Sequence, residues 1–164
     1  WSSDVCSSDL LWRFAKKMPK SGHIEIFDRS WYGRVLVERV EGFASQNEWQ
    51  RASDEINQFE KMWTDEGTII LKFFLCLDKD EQLKRFKDRE NNPDKQWKIT
   101  EEDWRNREKW DEYLEASHDM IESTNTSYAP WYIVPADHKK TSRIEVLKTI
   151  IRKCEEVLWG VKTY

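Results

Sequence analysis

At 164 residues the chain is one domain's worth of polypeptide, long enough to bury a sizeable core. Ten tryptophans argue against disorder, and a net charge of −4 argues against bulk electrostatic binding of nucleic acid. No apolar run approaches the ~20 residues that span a bilayer, and no signal peptide is visible, so no membrane partner is expected. Cys6, Cys76 and Cys154 are odd in number and lack CxxC spacing, which reads as free thiols in a reducing cytoplasm. His23, His118 and His138 are scattered without metal-ligand spacing.

Taken in chain order, residues 1–10 (WSSDVCSSDL) have low complexity and no relation to the rest of the chain. They read as a non-native or artefactual segment rather than as part of the fold. Residues 11–18 form a short helical segment closed by Pro19 and Gly22. Residues 23–28 read as a first, short buried strand, and 33–43 as a helix carrying Val35, Leu36, Val37 and Val40. Residues 48–66 are an amphipathic helix with Trp49, Ala52, Ile56, Phe59 and Trp63 at spacings of three and four, stopped by Gly67.

The run TIILKFFLCL, 68–77, is almost continuously apolar, the mark of a strand buried on both faces of a parallel sheet. Residues 79–91 are helical with Leu83 and Phe86 inward, and Asn91-Asn92-Pro93-Asp94 breaks them. A long helix is expected from Thr100, with Asp103 completing a capping box, to about residue 123. Residues 131–134 are a third strand. A final amphipathic helix starts at 139–141 and carries Ile144, Leu147, Ile151, Cys154 and Leu158 on one face. Strands alternating with helices predict an α/β layered fold with a parallel sheet and right-handed crossovers.

The stretch HIEIFDRSWYGRVLVERV, 23–40, is the most informative. It puts Asp28 at the C-terminal tip of an apolar segment, where open α/β sheets place their ligand crevice. A carboxylate there suits Mg²⁺, a hard cation that takes oxygen ligands, and the adjacent Arg29 offers a planar fork for phosphate oxygens. Asp after a strand is also a common turn residue or helix cap. Between Lys84 and Lys109 nine basic residues stand against seven acidic ones. Such clusters are solvated helix faces in most proteins, and a polyanion site is the sharper alternative.

FDRSWYGRVLVERVEGF, continued by EINQFEKM, GTIILKFFL, DKDEQLKRFKDR, WKITEEDWRNREKWDEY and APWYIVPADHKK, resembles the polyphosphate kinase 2 family. The resemblance covers the chain from Leu11 to the final helix. It implies a three-layer, P-loop kinase-like α/β parallel sheet with a helical lid at about 84–109, truncated at the N-terminus and occupying 11–164. It implies phosphoryl transfer between inorganic polyphosphate and AMP or ADP, with Asp28 holding Mg²⁺ and Arg29 meeting a phosphate. Arg89 would be the main lid arginine and Arg85 the second, with an ion pair to Glu81 as the bland reading of Arg85. Arg34, Lys95 and Lys98 are further candidates for substrate contact. For Arg39 and for Lys139 and Lys140 a solvated face competes with phosphate contact, and for Trp31 and Tyr32 core packing is favoured. Assembly as a homo-oligomer is also implied by the family.

No G-x-x-x-x-G-K-[ST] loop occurs in this sequence, and its five glycines are scattered. The resemblance carries two expectations. The sheet should show a gap, or direct pairing, between the strand ending at Asp28 and the strand 68–77, and the 164-residue chain alone should not transfer phosphate at a useful rate. The rival readings are a different P-loop nucleotide kinase that uses ATP, and a degenerate, non-catalytic domain that binds polyanions or a sister subunit.

Overall fold

The computed structural model describes residues 10–160, so the non-native segment expected at 1–10, Cys6 included, lies outside the described residues except for Leu10. Seven helices and two strands are described: α1 (Leu10–Ala15), α2 (Val37–Val40), α3 (Gln46–Asp65), β1 (Lys72–Cys76), α4 (Lys79–Glu90), α5 (Glu101–Glu108), α6 (Trp110–Thr124), β2 (Trp131–Pro135) and α7 (Lys139–Trp159). Single 3₁₀ turns occupy Trp31–Gly33 and Gln96–Lys98. The chain divides into two compact units, one running to Ile70 and including Arg105–Pro130, the other made of Leu71–Trp104 and the residues from Trp131 onward.

The first unit is built on α3. Its start is fixed by Glu48, whose carboxylate accepts from both the amide and the hydroxyl of Ser45 at 2.8 Å. Its end is released by Gly67, which takes φ +87° at no steric cost. The spacing of three and four puts Ala52, Ile56 and Phe59 on the buried face. They pack in a unit whose other helical wall is α6, where Ala116 and Met120 are buried. Polar ties run alongside this apolar seam: Asn57 Nδ2 donates to the Ser123 carbonyl at 2.9 Å, and the Tyr128 hydroxyl donates to the Asn57 carbonyl at 3.0 Å.

The second unit holds the sheet. β1 and β2 pair in parallel, from Lys72 opposite Trp131 to Cys76 opposite Pro135. Cross-strand aromatic pairs, Phe73 with Tyr132 at 5.4 Å and Phe74 with Trp131 at 6.5 Å, support that register. Lys72 is buried with its ammonium 5.2 Å from the Trp131 ring centroid, a cation–π contact that offsets part of its desolvation. Asp78 caps α4 by accepting from the Asp80 amide at 2.8 Å, and the Ser142 hydroxyl of α7 donates to the Pro135 carbonyl at 2.7 Å. The α/β class with parallel strands is as the sequence predicts.

Several expected elements differ. Residues 23–27 form no strand, and Ile24 and Ile26 are more than 80% exposed (82% and 83%). Among the described residues no strand pairs with them, and an extended segment without a ladder partner has nowhere to send its amides but water. The expected gap or direct pairing beside that strand therefore has no strand to refer to. The helix expected over 33–43 shrinks to a 3₁₀ turn and one turn of α2, because the backbone leaves helical values at Leu36 (φ −115°, ψ −89°) just before α2. The helix expected from Thr100 breaks between α5 and α6 at Lys109 (ψ 25°), whose ammonium is drawn to the Val40 carbonyl and to Glu41, both at 3.3 Å. On α7, Ile144, Leu147, Ile151 and Leu158 share a face as expected, yet all are exposed.

Candidate functional site around the Asp28 turn

The apolar segment ending at Asp28 delivers its carboxylate to an exposed bend rather than to a strand tip. Arg29, also exposed, has φ +66° and is the only non-glycine residue with positive φ among the described residues. A side chain in that left-handed region costs of order 1 kcal/mol and persists only where its surroundings over-determine it. Here the surroundings are aromatic. Phe27 and Trp31, on either side of the turn, contact each other at 5.6 Å, and both meet Phe14 at 5.7 Å. Trp31 also meets Phe59 of α3 edge-on at 5.3 Å.

Beneath this cluster lies Glu60, wholly buried. Its Oε1 accepts from Trp31 Nε1 at 3.1 Å and from the Tyr32 hydroxyl at 2.5 Å. Burial holds the Tyr32 hydroxyl well above the ordinary phenol range, and the charge and hydrogen bond of Glu60 push it the same way. Tyr32 therefore stays protonated, as a hydrogen-bond donor to Glu60, where a free phenol would ionise.

Arg34 follows the 3₁₀ turn, but it does not face solvent. Its guanidinium is buried, with Nε 3.0 Å from Glu38 and Nη1 4.0 Å from Glu48. A carboxylate four residues along claims it, and Nη2 makes no hydrogen bond. Arg39 is likewise engaged, by Asp119 at 2.8 Å and by the Trp49 ring at 4.2 Å.

The remaining candidates belong to the second unit. Arg85 on α4 makes the ion pair with Glu81 (2.9 Å) that its spacing allows, and its Nη2 also donates to the carbonyls of Ala136 and Asp137. Arg89, one turn further on, lies 6.0 Å from the Phe86 ring centroid and has no carboxylate partner among the described residues. Phe86 itself is buried against Trp104 at 5.1 Å, which fixes the helix that carries Arg89. Lys95 and Lys98 are exposed on the loop and 3₁₀ turn after α4, with the Lys98 ammonium 4.9 Å from the Trp97 ring. An open cleft of about 490 Å³ is lined by Lys84, Arg85, His138, Lys139 and Lys140 together with Glu81, Asp88 and Asp137. Lys139 and Lys140 are exposed there.

Among the described residues no cluster of three or more His, Cys, Asp or Glu side chains is placed to hold a metal, and no helix is long and apolar enough to cross a membrane. Two features of the turn escape the sequence reading. The left-handed Arg29 has no sequence signal, since arginine is an ordinary residue at most turns. Glu60 has one: it follows Ile56 by four, which places it on the buried face of α3.

The sequence profile described as polyphosphate kinase 2 (PPK2) matches residues 2–158. The chain is 60% identical over 143 residues to a polyphosphate:AMP phosphotransferase of Acinetobacter johnsonii, covering 87% of this chain and 30% of that protein. It is 47% identical over 129 residues to an AMP/ADP-polyphosphate phosphotransferase of Meiothermus ruber, covering 79% of this chain and 48% of the relative. The crystal structure of polyphosphate kinase 2 from Arthrobacter aurescens TC1 superimposes with a TM-score of 0.86 at 40% identity, covering 95% of this chain and 54% of that one. The chain thus spans less than half the length of these two curated relatives, and with a match over nearly all its residues it belongs to the polyphosphate kinase 2 family.

Proposed function

We propose that the whole protein carrying this chain transfers a phosphoryl group between inorganic polyphosphate and AMP or ADP, with the Asp28–Arg29 turn at the reacting phosphates. The carrying observation is that turn: an exposed carboxylate beside an exposed guanidinium at a positive φ, flanked by an aromatic cluster centred on the buried Trp31. Transfer of this kind needs positioning and charge neutralisation rather than a protein nucleophile.

The donor set fits Mg²⁺, which binds through one or two carboxylates and completes its shell with water and substrate phosphates, so the solitary carboxylate of Asp28 suffices. When bound, the ion neutralises charge on the phosphate oxygens. Arg29 forks onto a phosphate oxygen pair. Residues 84–109 act as the lid. Arg89, without an ion-pair partner, supplies its main cation, and Lys95 and Lys98 track the polyanion. Arg85, tied to Glu81 and two carbonyls, contributes by exchanging those partners for phosphate. Arg34, buried against Glu38, contributes from behind the turn. The protein acts in the cytoplasm as a homo-oligomer.

Phosphorus NMR of the whole protein with AMP, long-chain polyphosphate and MgCl₂ tests this reading. ADP should accumulate as internal polyphosphate signal is lost. Phosphorylation that proceeds with ATP but not with polyphosphate would overturn it.

A further inference from the structure

We infer that Glu60 is a positioning residue for the Asp28–Arg29 turn, acting through the Trp31 indole and the Tyr32 hydroxyl that it holds from below. The inference rests on the reading of that turn as the phosphate site, and it concerns a side chain that touches no substrate.

A carboxylate wholly excluded from water is expensive, and an apolar residue of similar volume is often neutral or better for stability. Glu60 stands on the face of α3 that otherwise carries Ala52, Ile56 and Phe59, where leucine would fill the space. What leucine cannot do is fix orientation. Two donors converge on one oxygen, Trp31 Nε1 at 3.1 Å and the Tyr32 hydroxyl at 2.5 Å, so one atom ties the side chains of two successive residues to α3.

Those rings lie at the start of the 3₁₀ turn directly after Ser30. Trp31 reaches back across the turn to Phe27 at 5.6 Å. The three residues between these aromatic flanks are Asp28, Arg29 and Ser30, and the middle one is left-handed. If the indole loses its anchor, the Phe27–Trp31 bridge loosens, and Arg29 can relax to negative φ. The Arg29 guanidinium would then be redirected relative to the Asp28 carboxylate, and a misplacement near 1 Å costs on the order of a hundredfold in rate.

The test compares Glu60→Gln, Glu60→Leu and Trp31→Phe in the whole protein. Glutamine keeps a carbonyl oxygen for both donors, leucine keeps only volume, and phenylalanine keeps the ring while losing its donor. Two readouts are taken: hydrogen–deuterium exchange of the peptide spanning residues 27–33, and kcat and KM for AMP with polyphosphate. We expect Glu60→Leu to speed exchange in 27–33 at least tenfold with α6 unchanged, and to lower kcat at least tenfold with KM for AMP within twofold. Trp31→Phe should move both readouts the same way by a smaller factor, and Glu60→Gln should restore both to within threefold of the parent. Parent-like exchange and kcat in Glu60→Leu, or Glu60→Gln as damaged as Glu60→Leu, overturns the inference. Should Glu60→Leu fail to fold, Trp31→Phe and Glu60→Gln decide it. Should the parent phosphorylate no nucleotide from polyphosphate, the proposed function fails, while the exchange comparison still judges whether Glu60 sets the turn.

Discussion

Tyr32→Phe isolates one hydrogen bond in the floor of the candidate site and carries a pH signature. The Tyr32 side chain is 7% exposed, and its hydroxyl donates to Glu60 Oε1 at 2.5 Å. Removing a buried hydrogen bond to a carboxylate costs about 1.5–3 kcal/mol, so the variant should be less stable by about 2 kcal/mol at pH 8. Burial first, then the Glu60 charge and hydrogen bond, raise the folded pKa above the ordinary value of 10.0. The sign is fixed by which state ionises first. Above pH 10 the unfolded chain releases the Tyr32 proton while the folded chain keeps it, so the parent's stability falls as pH rises. The phenylalanine variant has no such proton. The gap between the two proteins should therefore shrink by about 1.4 kcal/mol between pH 8 and pH 11, where the unfolded phenol is about ten-to-one ionised. Urea unfolding of both proteins at pH 8, 10 and 11 measures this, with other tyrosines and lysines cancelling in the difference. A gap that stays constant across that range would mean that Tyr32 is not held as a neutral donor to Glu60.

The packing yields two further outcomes. Ile56→Ala, at a wholly buried position on α3, should destabilise by about 3 kcal/mol and lower the urea midpoint by about 1.5 M for an m-value near 2 kcal/mol/M; a loss below about 1 kcal/mol would mean that α3 does not carry the core. Cys76 is a free thiol whose pKa is raised by burial and secondarily by the charge of Asp137. Since the thiolate is the nucleophile, iodoacetamide at pH 8 should alkylate Cys76 several-fold more slowly than an unstructured cysteine peptide, and equal rates would contradict that placement.

How far the sequence reached depends on whether an element owes its form to its own pattern or to its neighbours. α3 and α4 were legible within two residues at each end, and α7 at its start, because helical spacing and caps such as Asp78 are local signals. The parallel pairing was foreshadowed by the apolar run 68–77, but the strand is only Lys72–Cys76 and is not buried on both faces: with one partner strand among the described residues, Leu75 is 57% exposed. The stretch before Asp28 has the same apolar look, but a strand is a relation between two segments, and residues 23–27 have no partner among those described. Helical periodicity in 33–43 gave way at Leu36, whose backbone is not helical, so that only Val37–Val40 form α2. At the site, Asp28 and Arg29 could be named because acid and guanidinium types announce their chemistry. The buried state of Arg34 could not, since it depends on Glu48 as well as on its helical neighbour Glu38. Glu60 was hidden by its type: glutamate on a helix reads as solvated until its position four residues after Ile56 is weighed.

The proposed function requires that Asp28 and the lid cation Arg89 serve the same phosphoryl transfer. Both side chains have no hydrogen bond or ion pair that their loss would leave broken among the described residues, so Asp28→Ala and Arg89→Ala should fold like the parent. The decisive quantity is the initial rate of ADP formation from AMP and polyphosphate with saturating Mg²⁺, for the whole protein and for each variant. Each substitution should lower kcat by about a hundredfold or more, as is typical when one group that stabilises transition-state charge is removed. Parent-like turnover in both variants would show that neither side chain meets the reacting phosphates.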